Sequence, residues 1–192
     1  MSEGETGDDN QEAMGRLYDR SLVLRFQIGD ESAFAEIVAR MHPRLRQFLV
    51  SAFGLQPADV EDLLQDVWVD ACGGLRRLRK PASLRPWMYR VARNRALKHL
   101  RRRRLAVGLD ASQVPARASE DGEADRLARL RAALGKMSPA HREAVVLRYE
   151  HGLSYEEIAR ALKCRVGTVR SRLHYAKSIL HDELGRLSDD EE

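Results

Sequence analysis

A strongly basic segment with interleaved aromatic and amide side chains is the part of this sequence best suited to binding a polyanion. Between Arg76 and Arg104 there are thirteen Lys and Arg residues and no Asp or Glu, and Trp87, Tyr89 and Asn94 lie among them. Aromatic rings can stack on unpaired bases while Arg meets the phosphates, so the segment is typical of proteins that hold single-stranded or melted DNA. For Trp87 alone a core position is favoured. A purely solvated basic face is disfavoured, because so many uncompensated charges repel one another.

A second pattern, near the C-terminus, predicts a helix-turn-helix. Ser154 and Glu157 have the spacing of a capping box, and a three-residue break then leads into a longer amphipathic helix. Its inward stripe is Val166, Val169, Leu173, Ala176 and Leu180, which leaves Gly167, Thr168, Ser171, His174, Tyr175 and Ser178 outward and Arg165, Arg170, Arg172 and Lys177 on the flanks. Such a second helix enters the major groove of duplex DNA. The alternative is an ordinary helical hairpin with a solvated basic face.

A third pattern is acidic. Residues 56–70 contain Asp59, Glu61, Asp62, Asp66 and Asp70 and no Lys or Arg. An acidic helix indicates either a basic protein partner or simple neutralisation of the neighbouring basic helix. The residues alone leave both interpretations open.

Helices must position all three patterns, and we expect an all-α fold of two small helical domains joined by a flexible linker. Asp30 is a good N-cap, Pro43 is a possible kink, and Pro57 suits the first turn of a second helix that Gly73 and Gly74 should end. A third helix is predicted from Ser83 to about Arg104, and residues 107–122 have the composition of a linker. Beyond it, helices are predicted around Leu127, Leu130 and Leu134, after Ser138-Pro139, after Ser154, and from Val166. Residues 1–15 are predicted to be disordered.

Composition supports a nucleic-acid partner and no catalysis. The formal charge of +4 rises to +13 when the acidic segments 1–12 and 188–192 are set aside. A basic body between acidic tails indicates a polyanion. No signal peptide, membrane span, phosphate loop, metal cluster or nucleophile motif is present, so we expect a cytoplasmic protein that is not an enzyme, with no cofactor, metal, small-molecule substrate or membrane insertion. The thiols of Cys72 and Cys164 are expected to pack, and His141, His151 and His181 to lie on the surface.

Taken together, the motifs resemble the bacterial extracytoplasmic-function sigma factors, which belong to group IV of the sigma-70 family and confer promoter specificity on RNA polymerase. The run Asp59–Trp68 (DVEDLLQDVW) resembles that family's region 2.2, and Arg85–Ala96 (RPWMYRVARNRA), continuing to Arg102, resembles regions 2.3 and 2.4. The runs Gly152–Ala159 (GLSYEEIA) and Val166–His174 (VGTVRSRLH) resemble region 4.2. The resemblance implies an acidic tail at 1–20, region 2 at 21–105, a linker at 106–123, region 4 at 124–185 and an acidic tail at 186–192.

The resemblance also implies roles for individual residues and the identity of the partners, which would be core RNA polymerase, promoter DNA and an anti-sigma factor. The surface for core polymerase would include Asp59, Asp62, Leu63, Gln65 and Asp66. The minus-ten element would be held by Arg79, Lys80, Ser83, Arg85, Trp87, Tyr89, Arg90, Arg93, Asn94 and Arg101. The minus-thirty-five element would be read by Arg165, Thr168, Arg170, Ser171, Arg172, His174 and Tyr175.

Three positions depart from the family pattern. Lys163 replaces the usual Gly after the first helix of the DNA-reading motif, Tyr175 stands where Arg is frequent, and Cys72 stands where an aromatic is frequent. A stand-alone helix-turn-helix regulator is the alternative function, but it would need a dimerisation element and would leave the first module unexplained. Salt should weaken the DNA contacts steeply, as phosphate-dominated binding requires.

Overall fold

The described part of the molecule consists of helices in two groups. The computed structural model describes the backbone of residues 3–107 and 134–189, and the side chains of residues 13–105 and 134–180. The N-terminal domain contains α1 (Glu3–Gln27), α2 (Glu31–Phe53), α3 (Pro57–Leu75) and α4 (Leu84–Val107), with a short 3-10 helix at Pro81–Ser83. The C-terminal domain contains α5 (Pro139–Val145), a π-helical turn at Val146–Glu150, α6 (Tyr155–Leu162) and α7 (Val166–Asp189). The predicted all-α class is confirmed.

Local signals set the helix boundaries of the N-terminal domain. The Asp30 side chain accepts a hydrogen bond from the Ser32 amide at 3.0 Å and so caps α2. At the other end of α2, Gly54 adopts a left-handed conformation with φ 63°, which glycine tolerates without steric cost. Pro57 occupies the first turn of α3, and Pro43 lies inside a continuous α2.

The core of the N-terminal domain is built from one face of each of its four helices. Phe26, Ile37, Phe48, Leu64 and Met88 are completely buried there. Burying a side chain of this size stabilises a fold by about 1.5–3 kcal/mol, so these helices hold one another in register.

The N-terminal segment differs from the sequence-based expectation. Residues 1–15 were predicted to be disordered, but α1 begins at Glu3. The second half of α1 buries Leu22, Val23 and Phe26 completely, so packing at its far end anchors the helix.

Helix α3 also runs further than predicted. Gly73 and Gly74 do not end it, and the helix continues to Leu75, which is completely buried. The predicted linker lies almost wholly outside the described residues, as do Leu127 and Leu130 of the helix predicted near Ala124. Of that helix, Leu134 is described and is buried.

The two domains pack directly on one another. Helix α4 lies against α6, and the end of α2 lies against α5 and the π-helical turn. Gln47 donates a hydrogen bond to Glu150 at 3.2 Å, and Arg16 of α1 pairs with Glu157 of α6 at 3.3 Å. The His151 ring packs against the touching rings of Phe48 and Tyr89, at centroid distances of 6.1 and 5.0 Å. The expectation that His151 lies on the surface is therefore wrong.

Candidate nucleic-acid interface

The acidic face of α3 is partly neutralised and partly free. Arg95 of α4 pairs with Asp66 at 3.0 Å and with Asp70 at 2.5 Å, and the hydrogen bond from Arg95 lowers the pKa of the Asp70 carboxyl. Arg103 approaches Asp59 at 3.8 Å. Asp62 is exposed, and no ion pair joins it to another described side chain. Neutralisation by the neighbouring basic helix is therefore observed for Asp66 and Asp70, whereas a basic protein partner for Asp62 stays a prediction.

The exposed face of α3 includes an apolar residue that the sequence patterns did not single out. Val69 is 73% exposed, and it follows Gln65 and Asp66 at the spacing of one helical turn. Gln65 is exposed as well, whereas Leu63 is turned into the core and is 6% exposed. Asp62, Gln65 and Val69 thus form one exposed surface of mixed acidic and apolar character, which we call the α3 surface.

The loop between α3 and α4 brings several of the predicted nucleic-acid residues together around one ring. A groove of about 290 Å³, the Trp87 groove, is lined by Leu78, Arg79, Lys80, Ser83, Pro86, Trp87, Arg90 and Arg160. The lining combines apolar surface with four basic side chains, which matches a nucleobase with its phosphate. Arg160 comes from α6 of the other domain and was not predicted, because sequence patterns do not reveal contacts between separate modules.

Trp87 is half-buried and its position depends on a glycine. A methyl group added at Gly74 would lie 2.5 Å from Cζ2 of Trp87, so the indole rests directly on the backbone of α3. On its other side Trp87 borders a second depression of about 420 Å³, lined by Asp70, Val91, Asn94, Arg95 and Lys98. The ring therefore stands between the two depressions, and Asn94 lies on the far one.

Three other residues predicted to meet the minus-ten element are turned inward. Tyr89 is 1% exposed, and burial raises the pKa of its hydroxyl. Arg85 is 8% exposed and donates to Asp19 of α1 at 2.7 Å. Arg93 donates to Glu143 of the other domain. Arg101 is exposed near the end of α4, away from the residues that line the Trp87 groove.

The helix-turn-helix has the local geometry that its sequence predicts. The Ser154 amide donates to Glu157 at 2.9 Å, and the Glu157 amide donates to the Ser154 hydroxyl at 3.2 Å, which completes the capping box. Lys163 ends α6 in a left-handed conformation with φ 52°. Val169, Leu173 and Ala176 of α7 are buried, so the opposite face of α7 is presented to solvent.

The residues predicted to read duplex DNA lie on that solvent face of α7 or at its N-terminal end. The exposed ones are Arg165, Arg170, Ser171, His174 and Tyr175, while Thr168 and Arg172 are half-buried. The Ser171 hydroxyl donates to the Thr168 carbonyl at 3.0 Å, so its remaining hydrogen-bonding capacity is as an acceptor.

His141 of α5, which the sequence patterns did not connect with DNA binding, is a neighbour of α7. Its ring lies 4.7 Å from that of Tyr175, and its Nδ1 is 2.6 Å from the Ser138 hydroxyl. Burial and the nearby Arg172 lower the pKa of His141. His141 is only half-buried, so the expected surface position is partly realised, and the residue supports the Tyr175 ring from the side.

Family models match both domains. Residues 37–106 match the model described as Sigma-70 region 2, and residues 127–180 match Sigma-70, region 4. The ECF RNA polymerase sigma-E factor of Escherichia coli (strain K12) is 32% identical over 187 residues, covering 90% of this chain and 97% of that protein. The ECF RNA polymerase sigma factor SigE of Mycolicibacterium smegmatis is 34% identical over 176 residues, covering 84% of this chain and 66% of that protein.

Two solved structures have a similar fold. CnrH, in complex with the cytosolic domain of CnrY, superposes with a TM-score of 0.66 at 29% identity, covering 91% of this chain and 99% of that one. The sigma factor RpoE from Bartonella quintana, in complex with the anti-sigma factor NepR, superposes with a TM-score of 0.68 at 28% identity, covering 79% and 96%. None of the described helices is long and apolar enough to cross a bilayer.

Proposed function

We propose a division of labour among the surfaces of this chain, which belongs to the extracytoplasmic-function family of RNA polymerase sigma factors. Its function is to bind core RNA polymerase and direct promoter recognition and DNA melting at transcription initiation. Its partners are therefore core polymerase and promoter DNA. We assign it the role of a specificity subunit that works in the cytoplasm beside the polymerase, which carries out the catalysis.

The α3 surface is the proposed docking site for core polymerase. Asp62 is the exposed carboxylate there without an ion-pair partner among the described side chains, and Val69 supplies apolar area beside it. Interfaces that combine an apolar centre with charged neighbours gain affinity from the former and orientation from the latter. Asp59 and Asp66 contribute less in this proposal, because Arg103 and Arg95 already approach them.

The Trp87 groove is the proposed minus-ten site, and it is the observation that best supports the function. Arg79, Lys80 and Arg90 surround a half-buried indole that a single unpaired base can cover. Stacking of a base on an aromatic ring contributes about 1–3 kcal/mol, and the basic side chains of the lining add contacts to phosphates. Asn94 lies on the opposite side of the ring, where a neighbouring nucleotide can reach it.

The solvent face of α7 is the proposed minus-thirty-five reader. Ser171, His174 and Tyr175 are exposed along one side of α7, and Arg165 and Arg170 flank them. Short polar side chains allow a helix to approach base edges closely in the major groove, and flanking arginines bind phosphates on either side.

The two DNA sites cannot be used together while the domains are packed as they are here. Promoter elements centred near minus ten and minus thirty-five are separated by roughly 85 Å along duplex DNA, since each base pair adds about 3.4 Å. In this structure α4 and α6 are in contact. Between Val107 and Leu134 there is enough chain to span at most about 90 Å. The domains therefore separate when the chain engages a promoter, which also uncovers Tyr89 and Arg93.

An anti-sigma factor is a further proposed partner. Two structurally similar proteins, CnrH and the RpoE of Bartonella quintana, were solved in complex with CnrY and with an anti-sigma factor, respectively. A protein that holds the two domains together would prevent the separation that promoter binding requires.

Co-elution with core polymerase tests the docking assignment. Wild-type protein is mixed with core enzyme and passed through size-exclusion chromatography beside Asp62→Arg, which breaks no ion pair in the described part of the chain. Glu156→Arg, a charge reversal at an exposed position of α6, is the matched control. We expect the wild type and the control to co-elute and Asp62→Arg to elute free. Failure of the wild type to co-elute, with retained binding to duplex DNA, would instead support a stand-alone regulator.

A further inference from the structure

Helix α1 holds both ends of the loop that joins α3 to α4. This loop, residues 76–83, carries Arg79, Lys80 and Ser83, which line the Trp87 groove. At its start, the Gln27 side-chain amide donates to the carbonyls of Leu75 and Leu78 at 2.9 and 3.0 Å. Both protons of one amide group are thereby used on the backbone that leads into the loop.

The far end of the loop is held by a buried ion pair. Arg85 is the second residue after the loop, and its Nε donates to Asp19 at 2.7 Å, with both side chains at most 10% exposed. The other oxygen of Asp19 accepts from Arg40 of α2 at 2.9 Å, so the carboxylate is fixed from two sides. One turn earlier on α1, Gly15 leaves room for the Arg85 guanidinium, whose terminal nitrogen lies 3.2 Å from where a Cβ would be.

The two anchors are set apart by a rigid spacer. Asp19 and Gln27 lie on one continuous helix, about 12 Å apart along its axis at 1.5 Å per residue. A loop whose ends are fixed to one helix has fewer conformations available than a free one, so its side chains are held near the geometry that binding needs. Arg79 and Lys80 between the anchors remain exposed.

We infer that Asp19 and Gln27 are positioning residues for minus-ten recognition, acting through the α3–α4 loop without touching DNA. Arg85 acts with them, because its ion pair with Asp19 fixes the far end of the loop. The inference rests on the proposed minus-ten site, and it goes beyond that site by assigning a role in promoter discrimination to a helix that contributes no side chain to the lining of the Trp87 groove.

Discrimination by the holoenzyme separates positioning from general stability. Holoenzyme reconstituted with wild-type chain selects a preferred minus-ten sequence from a promoter pool randomised over that element. For the holoenzyme of each variant, we then measure the discrimination ratio, which is its affinity for the preferred single-stranded oligonucleotide divided by that for a scrambled one. The affinity of each chain for core polymerase and that of each holoenzyme for minus-thirty-five duplex are measured beside it. Gln27→Glu keeps the shape of the side chain but loses both donors, and Gln56→Glu at an exposed position is the matched control.

We expect Gln27→Glu to lower the discrimination ratio at least fivefold, with the other two affinities unchanged within twofold and Gln56→Glu indistinguishable from wild type. Gln27→Lys, which retains a hydrogen-bond donor, should keep most of the wild-type discrimination ratio. Asp19→Asn should lower that ratio. An unchanged ratio, or a parallel fall of all three affinities, would overturn the inference. Trp87→Ala distinguishes a failure of the proposed minus-ten site from a failure of the inference alone. If Trp87→Ala leaves the discrimination ratio unchanged, the proposed site is wrong and the inference fails with it. If Trp87→Ala lowers the ratio and Gln27→Glu does not, only the inference fails.

Discussion

The guanidinium of Arg93 in the N-terminal domain donates a hydrogen bond to the carboxylate of Glu143 in the C-terminal domain, where the Glu143 side chain is only 2% exposed. Burial raises the pKa of Glu143, and the Arg93 bond opposes that rise. One of the residues that the family resemblance assigns to melted DNA is thus occupied by a carboxylate of the chain itself. The contact links the packing of the two domains to the availability of a DNA-binding residue.

Replacing Glu143 with Gln should loosen the contact between the domains. The substitution keeps the size of the side chain and removes the charge, and loss of a charged hydrogen bond at a largely buried site costs about 1.5–3 kcal/mol. We expect a larger radius of gyration in small-angle X-ray scattering and faster association with core polymerase. Glu156→Gln, on the exposed side of α6, should leave both unchanged. An unaltered scattering profile for Glu143→Gln would show that the ion pair does not hold the domains together.

The domain contact should also weaken in acid because of His151. Burial, with a smaller contribution from Arg44, lowers the pKa of His151 from 6.5 to about 4 in the packed arrangement. Once the domains separate, the imidazole is hydrated and binds a proton more readily, so the separated form gains stability as the pH falls from about 6.5 to about 4. Over that whole pH range, the free energy of separating the domains falls by about 3 kcal/mol.

Glu143 acts in the opposite direction, because its raised pKa favours the packed form as the pH falls. Comparison with His151→Phe, which keeps an aromatic ring beside Phe48 and Tyr89, isolates the histidine. Fluorescence energy transfer between labels on the two domains should fall between pH 7.5 and pH 5 in the wild type and fall less in the variant. Equal pH profiles for the two proteins would rule out His151 as the source.

Substitution by alanine should have different effects at the two adjacent glycines of α3. A Cβ at Gly73 would meet no atom within 4 Å, whereas a Cβ at Gly74 would lie 2.5 Å from the Trp87 ring. Gly73→Ala should therefore stabilise the fold by about 0.5–1 kcal/mol through helix propensity alone. Gly74→Ala should displace the indole and lower affinity for single-stranded minus-ten DNA about tenfold, which corresponds to about 1.4 kcal/mol. Urea denaturation and oligonucleotide binding measure the two effects, and equal DNA affinities would mean that the ring position is unimportant.

Local signals made much of this fold predictable, and contacts between distant segments did not follow from them. The Asp30 cap, the Ser154–Glu157 capping box and the inward stripe of α7 each depend on residues within a turn or two, and the structure has both caps and buries Val169, Leu173 and Ala176 of the stripe. Arg85 and Asp19 meet across 66 positions of sequence, so the same arginine that extends a basic motif is buried by a partner no local pattern reveals.

The contact between the domains could not be predicted either, because it joins segments that are distant in the sequence. Tyr89 and His151 come from different domains, and each is polar enough to suggest exposure when considered alone. Their burial depends on Phe48, to which both rings pack. Burial of these two groups could have been inferred only from a model of how α2 and α4 meet the π-helical turn.

Backbone strain at Lys163 gives a prediction that separates folding from DNA binding. Lys163 has φ 52° and ψ 49°, a left-handed conformation in which a side chain with a Cβ costs about 1 kcal/mol. Lys163→Gly relieves that cost and removes one positive charge, whereas Lys163→Ala removes the same charge and keeps the strain. We expect the Gly variant to unfold at higher urea concentration than the Ala variant, by about 1 kcal/mol in the free energy of unfolding. Because Lys163 is exposed and lies in the turn before α7, both variants should lose the same affinity for minus-thirty-five duplex at low salt. If Lys163→Gly and Lys163→Ala differ in stability but bind the duplex equally, the Lys163 side chain acts on DNA through its charge alone. Equal stabilities would mean that the turn relaxes to accommodate a Cβ.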